Sequence, residues 1–249
     1  MTEPEGVRVL RHQGWAEVVL DRPERKNAII GPMAVAFEAA FTALGADAGV
    51  GCIVLRGEGG VFSSGLDLKE FNAQPAPAWL VGFQPAWLRA HLALYRCPAP
   101  VVCALERYAI NAGAALALGS DLVIAGESAY LQVGEVQQGV AAPMNAAWLS
   151  LRFGEPVAAQ LALTGRRVGA NDLLRLGIAT EIVPDGAVRG RAEALAQEIA
   201  AFPPSGPRAN KAVLRAARGL DAEAVFERAA AAARVAPRPL GPLATLKRE

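Results

Sequence analysis

The chain has 249 residues, with 25 Lys and Arg against 24 Asp and Glu, and a formal charge of +1. That length suits one large domain, or one domain with a small appendage, and is ample for a buried core. Hydrophobic residues make up 53% and the mean hydropathy is +0.25, which excludes disorder, while the near-zero charge argues against a nucleic-acid partner.

No run approaches the ~18–20 uninterrupted apolar residues of a membrane span. The start, MTEPEGVRVL, carries acids and no apolar stretch of the kind a secretory signal needs. The three cysteines, Cys52, Cys97 and Cys103, are odd in number and lack C-x-x-C spacing. Cys52 and Cys103 sit inside apolar, strand-like runs, so they read as reduced core residues of a cytoplasmic protein rather than metal ligands or a nucleophile. His12 and His91 stand far apart in sequence, so neither a zinc site nor a Ser-His-Asp triad has much to build on, and no metal is expected.

In chain order, Val7–His12 and Trp15–Asp21 are β-rich runs around Gln13-Gly14 and predict a hairpin. Pro32 to Leu44 repeats apolar residues at helical spacing. Cys52–Leu55 and Val101–Leu105 are compact apolar strands, and Asn111–Leu118 is an Ala-rich helix ended by Gly119. Leu122–Ala125 and Ala129–Val133 predict two further strands. Earlier, between Leu55 and Val101, Gln74–Pro85 carries three prolines and a glycine, and predicts a loop followed by a helix through Trp87–Tyr95. After residue 145 the character turns helical, over Ala146–Phe153, Pro156–Thr164, Asn171–Leu176, Arg189–Ala201, Pro207–Gly219 and Ala222–Val235. Only Ala179–Val183 interrupts as a strand, and Pro237–Pro242 predicts an irregular tail. The run Ala229–Ala233 is low in complexity, but alanine is the best helix former, so it predicts a packed helix. The class is α/β, with the C-terminal helices covering the core or packing on a partner subunit.

Three segments offer places for chemistry. Ile53–Phe71, IVLRGEGGVFSSGLDLKEF, runs from a buried strand through a Gly/Ser loop to a helix start. Such a turn presents free backbone N–H groups and the positive end of a helix dipole, which favours an anion. Gly60-x-x-x-x-Gly65 has the spacing of a P-loop, but Leu66 stands where the lysine belongs. Alone, the segment reads equally as an ordinary turn. Val101–Glu127 repeats the design with small residues at 112–115, which let backbone or ligand approach closely or simply serve helix packing. In Tyr130–Asn145, Glu135 lies just past a strand between Gly134 and Val136, where an acid can equally be a solvated loop residue.

Taken together and in order, these segments resemble the enoyl-CoA hydratase/isomerase (crotonase) family. VVLDRPERKNAI (Val18–Ile29) is similar to its N-terminal strand and R-P-x-x-x-N-A turn, and IVLRGEGGVFSSGLDLKEF to its V-L-x-G-x-G-x-x-F-x-x-G-x-D-L-K segment. SDLVIAGESA (Ser120–Ala129), VGEVQQGV (Val133–Val140) and LTGRRVGANDLLRLGIATEIVP (Leu163–Pro184) are similar to three later blocks. The match spans roughly residues 7–220.

The resemblance implies a crotonase-like spiral of ββα units over residues 1–190, with a C-terminal helical region over 191–249 packing on the core or a neighbouring subunit. It implies a homotrimer or hexamer and an acyl-CoA substrate, with coenzyme A as part of the substrate and no separate cofactor. Its thioester carbonyl would be held by the backbone N–H groups of Leu66 and Ala112, with Glu135 as acid/base. Ser64, Gly65, Asp67, Leu68, Lys69 and Gly113 would contact the substrate, with Asp67 alternatively stabilising its own turn. Arg25 and Lys26 would lie near the CoA phosphates, and Lys211 would meet them from its own or a neighbouring subunit. Arg25, Lys26 and Lys69 read equally as solvated surface cations.

The sequence departs from the family at a telling place. Hydratases of the family use two glutamates; Glu135 matches the second, but Ala115 stands at the first. Glu106 is the nearest upstream acid, about two helical turns too early. Residues 141–145, AAPMN, also depart from the usual P-G-x-G-G. A lone glutamate beside an oxyanion hole suits removal of a proton at C2 and its return at C4, an isomerisation. A hydratase with a second group from outside the motif, and a non-catalytic acyl-CoA-binding member, stay open. Trp79, Phe83, Trp87 and Trp148 are candidates for the acyl-pocket wall and equally for core or subunit contacts.

Overall fold

The computed structural model describes residues 6–235 and Leu243. Its strands are β1 (Val7–Arg11), β2 (Trp15–Leu20), β3 (Cys52–Gly57), β4 (Val101–Leu105), β5 (Tyr108–Ile110), β6 (Leu122–Gly126), β7 (Tyr130–Gln132), β8 (Arg167–Gly169) and β9 (Glu181–Val183). Its helices are α1 (Gly31–Ala46), α2 (Leu68–Phe71), α3 (Leu80–Arg96), α4 (Ala112–Gly119), α5 (Pro143–Arg152), α6 (Glu155–Ala162), α7 (Ala170–Arg175), α8 (Val188–Ala200), α9 (Ser205–Ala217) and α10 (Ala222–Val235).

The large sheet has the order β1-β2-β3-β4-β6-β9, parallel throughout except for the β1–β2 hairpin at one edge. Its central strands are covered on both faces, which is why they read as continuous apolar runs rather than alternating ones. The period of two still sorts the side chains. Cys52, Val54, Val102 and Ala104 pack against Val188, Ala192 and Ala196 of α8, while Ile53, Leu55, Val101, Cys103 and Leu105 face the main core beneath α1, α3 and α4. The stripe on α8 repeats every four residues, and its alanines bring the helix close to the sheet. All three cysteines are buried thiols, and burial pushes Cys52 up to about 12.

A second, three-stranded layer has the order β5-β7-β8. Residue Ser63 extends it through a parallel bridge to Ala109, and Leu66 is bridged in the same way to Ile29. Each unit therefore sends one strand to the large sheet, a short one to the small layer, and then a helix. The sequence reading missed β5 and β8, both three residues long, because the register of neighbouring chain segments rather than local propensity makes them strands.

Helix α3 begins at Leu80, earlier than the expected start at Trp87, and runs through Pro85. Phe83, Ala86, Trp87, Ala90, His91 and Leu94 form a buried stripe that outweighs the one backbone bond Pro85 removes. Helix α8 crosses residue 190 and belongs to the sheet packing. The tail expected at Pro237–Pro242 lies outside the described residues.

Helix α9 meets the core through cations placed at the C-terminal ends of other helices. Arg208 donates to the carbonyls of Gly45 (3.1 Å) and Val50 (2.8 Å), Arg215 to that of Tyr95, and Arg218 to that of Arg152 (2.9 Å). These carbonyls are the unpaired ends of α1, α3 and α5 or follow closely after them, where a positive charge is favoured.

Candidate active site

The turn between β2 and α1 is pinned by Asn27, fully buried with a φ of +53°. Its Nδ2 donates to the carbonyls of Glu58 (2.9 Å) and Val61 (2.7 Å), and its Oδ1 accepts from the Arg22 N–H (2.9 Å). The Asn of the R-P-x-x-x-N run thus shapes the loop after β3. Ser63 Oγ then donates to the Asn27 carbonyl at 2.8 Å, and the Ser64 N–H to the Lys26 carbonyl at 3.0 Å.

Gly65 has a φ of +95°, and a Cβ there would lie 2.8 Å from the Ile110 carbonyl oxygen. Glycine is required on both counts. The Ile29 N–H donates to the Gly65 carbonyl (2.7 Å) and the Asp67 N–H to the Ile29 carbonyl (2.9 Å). Leu66, between them, therefore turns its own N–H to the opposite side, where no backbone carbonyl of the described residues takes it.

The second loop packs against the first, with the Ile110 N–H donating to the Ser63 carbonyl at 3.1 Å. Asn111 holds a left-handed φ of +49°, unusual for a residue other than glycine. Its N–H donates to the Gln132 carbonyl (2.8 Å), and its Oδ1 accepts from the Gly134 N–H (2.8 Å). Its carbonyl accepts from the Ala115 N–H (3.1 Å) and so points along α4. In a trans peptide the following N–H, that of Ala112, points the opposite way, out of the helix N-terminus.

Glu135 opens the 3-10 turn Glu135–Gln138 just after β7. Its Oε1 accepts from Asn145 Nδ2 at 2.9 Å, and its Oε2 is buried with no partner among the described residues. Burial pushes this carboxyl up to about 7, against the smaller opposite pull of its own backbone N–H and of Asn145. A near-neutral carboxyl can both take and return a proton.

Leu66, Ala112 and Glu135 line one cavity of about 1510 Å³, together with Arg25, Lys26, Ser64, Asp67, Leu68 and Lys69. Gly65, Gly113 and Lys211 are not on its wall. Gly113 is a packing glycine, since a Cβ there would lie 2.6 Å from Ser63 Cβ. Lys211 is buried, donating to the Ala99 carbonyl (2.7 Å) and paired with Asp121 Oδ2, so in this chain it is a structural cation rather than one that reaches the cavity. Asp67 is buried too. It caps α2 by accepting from the Glu70 N–H (3.2 Å) and pairs with Arg25 (2.7 Å) and Arg22 (3.2 Å). Burial pushes its carboxyl up, but the arginines and the cap outweigh that and hold it below the usual range.

Ala115 lines the cavity with a methyl group. Glu106 does not line it; its carboxyl feels the field of Arg56, Arg189 and Glu58, and burial raises it. The nearest upstream acid is therefore not placed at the site in this fold. Among the four aromatic candidates, Phe83 and Trp87 line the cavity. Trp148 is buried in the core, where its Nε1 donates to His91 Nδ1 at 2.9 Å, and Trp79 packs over Gly31.

Two residues of the site are not legible in the sequence, where Asn111 reads only as the start of a helix and Asn145 only as part of a departure from the family pattern. The available signal for Asn145 was an amide within the otherwise apolar helix start PMNAAWL.

Comparison with known proteins gives the family and the fold. The family model described as "Enoyl-CoA hydratase/isomerase" matches residues 11–233. A Thermus thermophilus protein carrying the provisional name enoyl-CoA hydratase is 36% identical over 223 residues, covering 87% of each chain. The 1,2-epoxyphenylacetyl-CoA isomerase of Escherichia coli is 32% identical over 204 residues, 80% of this chain and 78% of that one. The crystal structure of an enoyl-CoA hydratase/isomerase from Mycobacterium paratuberculosis superposes with a TM-score of 0.84 at 27% identity, covering 95% of both chains. The fold is the α/β crotonase fold with C-terminal helices, and the chain belongs to the enoyl-CoA hydratase/isomerase family of acyl-CoA enzymes.

Proposed function

We propose that the protein shifts the double bond of an enoyl-CoA thioester, using Glu135 as the single proton carrier. The observation that carries this reading is the pairing of one buried, near-neutral carboxyl at Glu135 with a bare methyl at Ala115 on the same cavity wall. The Glu135 carboxylate takes a proton from C2 of a 3-enoyl-CoA, and the electron pair moves toward the thioester oxygen. The N–H groups of Leu66 and Ala112 stabilise that oxyanion, each such donor contributing roughly 3–4 kcal/mol in a dry site. The Glu135 carboxylic acid then returns the proton at C4, and the conjugated 2-enoyl-CoA results.

The cavity wall also carries Arg25, Lys26 and Lys69, suited to the phosphates of the coenzyme, while Phe83, Trp87, Leu88 and Met144 suit the acyl chain. A homotrimer or hexamer remains part of this reading, supported by the exposed Phe202, Val213 and Leu214 on and beside α9. Light scattering on the purified protein tests it, and a monomer would remove it.

The reaction is tested by following absorbance of the conjugated thioester. With a 3-enoyl-CoA the signal should rise, and a flat trace at high enzyme overturns the isomerisation. With crotonyl-CoA a fall would instead assign hydration, the activity in the name of the Thermus relative. Calorimetric binding of thioesters without turnover would leave a binding protein.

A further inference from the structure

Asn145 is almost fully buried, on the first turn of α5, and lines the same cavity as Glu135. Its Nδ2 donates twice, to Glu135 Oε1 at 2.9 Å and to the Asn111 carbonyl at 3.1 Å. The orientation of this amide is fixed by chemistry, because a backbone carbonyl only accepts, so the group facing it must be the NH₂. The Asn111 carbonyl belongs to the peptide whose N–H is that of Ala112. One side-chain amide therefore ties the carboxyl to the peptide that carries the second N–H of the site.

We propose that Asn145 is a positioning residue that holds the Glu135 carboxyl and the Asn111–Ala112 peptide in fixed relation. Glu135 has two oxygens, and engaging Oε1 leaves Oε2 as the one without a partner among the described residues. The proton is thereby assigned to one oxygen of the pair. The peptide plane is held from the carbonyl side by Asn145 Nδ2 and the Ala115 N–H, which opposes relaxation of the left-handed φ at Asn111. Without Asn145 the carboxyl keeps only its own backbone N–H and the Ala112 N–H can tilt, so both halves of the reaction lose alignment together. Asn145 Oδ1 is buried and has no partner among the described residues, which leaves the amide's purpose on its NH₂ side.

Two variants separate this role from a packing role. Asn145→Ala removes both donated bonds and leaves a small cavity. Asn145→Asp keeps the shape, but its carboxylate cannot donate to either acceptor. The inference rests on the functional reading above for its activity arm only, so the primary readout is independent of turnover. The titration of the Glu135 side-chain carboxyl is followed by NMR with ¹³C-labelled glutamate, assigned by the signal that Glu135→Gln removes. In Asn145→Ala the midpoint should move up, since a hydrogen bond favouring the ionised form is lost, and in Asn145→Asp it should move further up because a second acid now faces the first. With an active thioester, kcat should fall roughly 10–100-fold in both, while KM stays within about threefold. An unchanged Glu135 midpoint in Asn145→Asp overturns the proposal, whatever the activity. If the wild type turns over no thioester, the functional reading fails while the titration still decides the role of Asn145.

Discussion

A methyl group on Gly65 would sit 2.8 Å from the carbonyl oxygen of Ile110, so the loop after β3 and the loop before α4 are in direct backbone contact. Gly65→Ala must therefore both leave a φ of +95° and push the two loops apart. The strain is expected to lower stability by about 1–3 kcal/mol, read as a fall in Tm. Turnover should fall ~10²–10³-fold, as for loss of one oxyanion donor, because Leu66 is the next residue. A variant that keeps its turnover would show that the Leu66 N–H is not used.

Glu135→Gln keeps the shape and the contact with Asn145 but cannot carry the proton. Turnover should drop ~10²–10⁴-fold while the affinity for an acyl-CoA stays within a few-fold. Stopped assays on the 3-enoyl thioester, with binding by calorimetry in parallel, check both halves. Wild-type turnover in this variant would remove Glu135 from its role.

The carboxyl of Glu135, raised by burial to about 7, makes two pH predictions. As a base it must be ionised, so kcat/KM should rise with pH along an acid limb centred near 7. For stability the sign is opposite. The folded chain holds the proton up to about 7 whereas the unfolded chain releases it near 4.5, so between those values the folded state binds more protons and stability declines as pH rises. The penalty at pH 8 is on the order of 3 kcal/mol. Glu135→Gln, free of it, should melt later than the wild type at pH 8 and lose that advantage near pH 4. Equal melting at both values would contradict the raised carboxyl.

Ala115 lines the cavity where two-carboxylate relatives would present an acid, as the resemblance implies. Ala115→Glu should therefore introduce measurable hydration of a 2-enoyl-CoA, seen as loss of the conjugated absorbance, in a protein that showed little before. It should also move the Glu135 limb upward through like-charge repulsion. Absence of hydration in a folded, thioester-binding variant would place the limit elsewhere in the site.

Lys211 separates packing from ligand contact. It donates to the Ala99 carbonyl and pairs with Asp121, which Arg152 and Arg215 also face at 3.7 and 3.8 Å. Lys211→Met should cost about 1–3 kcal/mol in urea unfolding, less than an isolated buried pair because two other cations still face Asp121. The affinity for coenzyme A thioesters should not change. A tenfold loss of affinity would restore this lysine to the binding site.

The ordered motifs around Asn27, Gly65, Gly119 and Glu135 carried the fold class in the sequence, because each is a local necessity. An asparagine at φ +53°, a glycine at φ +95° and apolar strands buried on both faces leave few alternatives. The reading of Leu66 and Ala112 as backbone donors comes from the family resemblance, and the local sequence adds only that each stands at a turn leading into a helix start. What the sequence could not hold was partnership across long separations. Asn145 reaches Asn111 over 34 residues and Lys211 reaches Ala99 over 112, so only the folded chain showed that the first bridges the site and the second is absorbed by the core. Helix α3 makes the same point, for Pro85 argued locally for a break, and the buried stripe from Phe83 to Leu94 overrode it. The position of Glu106 off the cavity wall is likewise tertiary, because which charges surround an acid depends on elements that sequence proximity does not join.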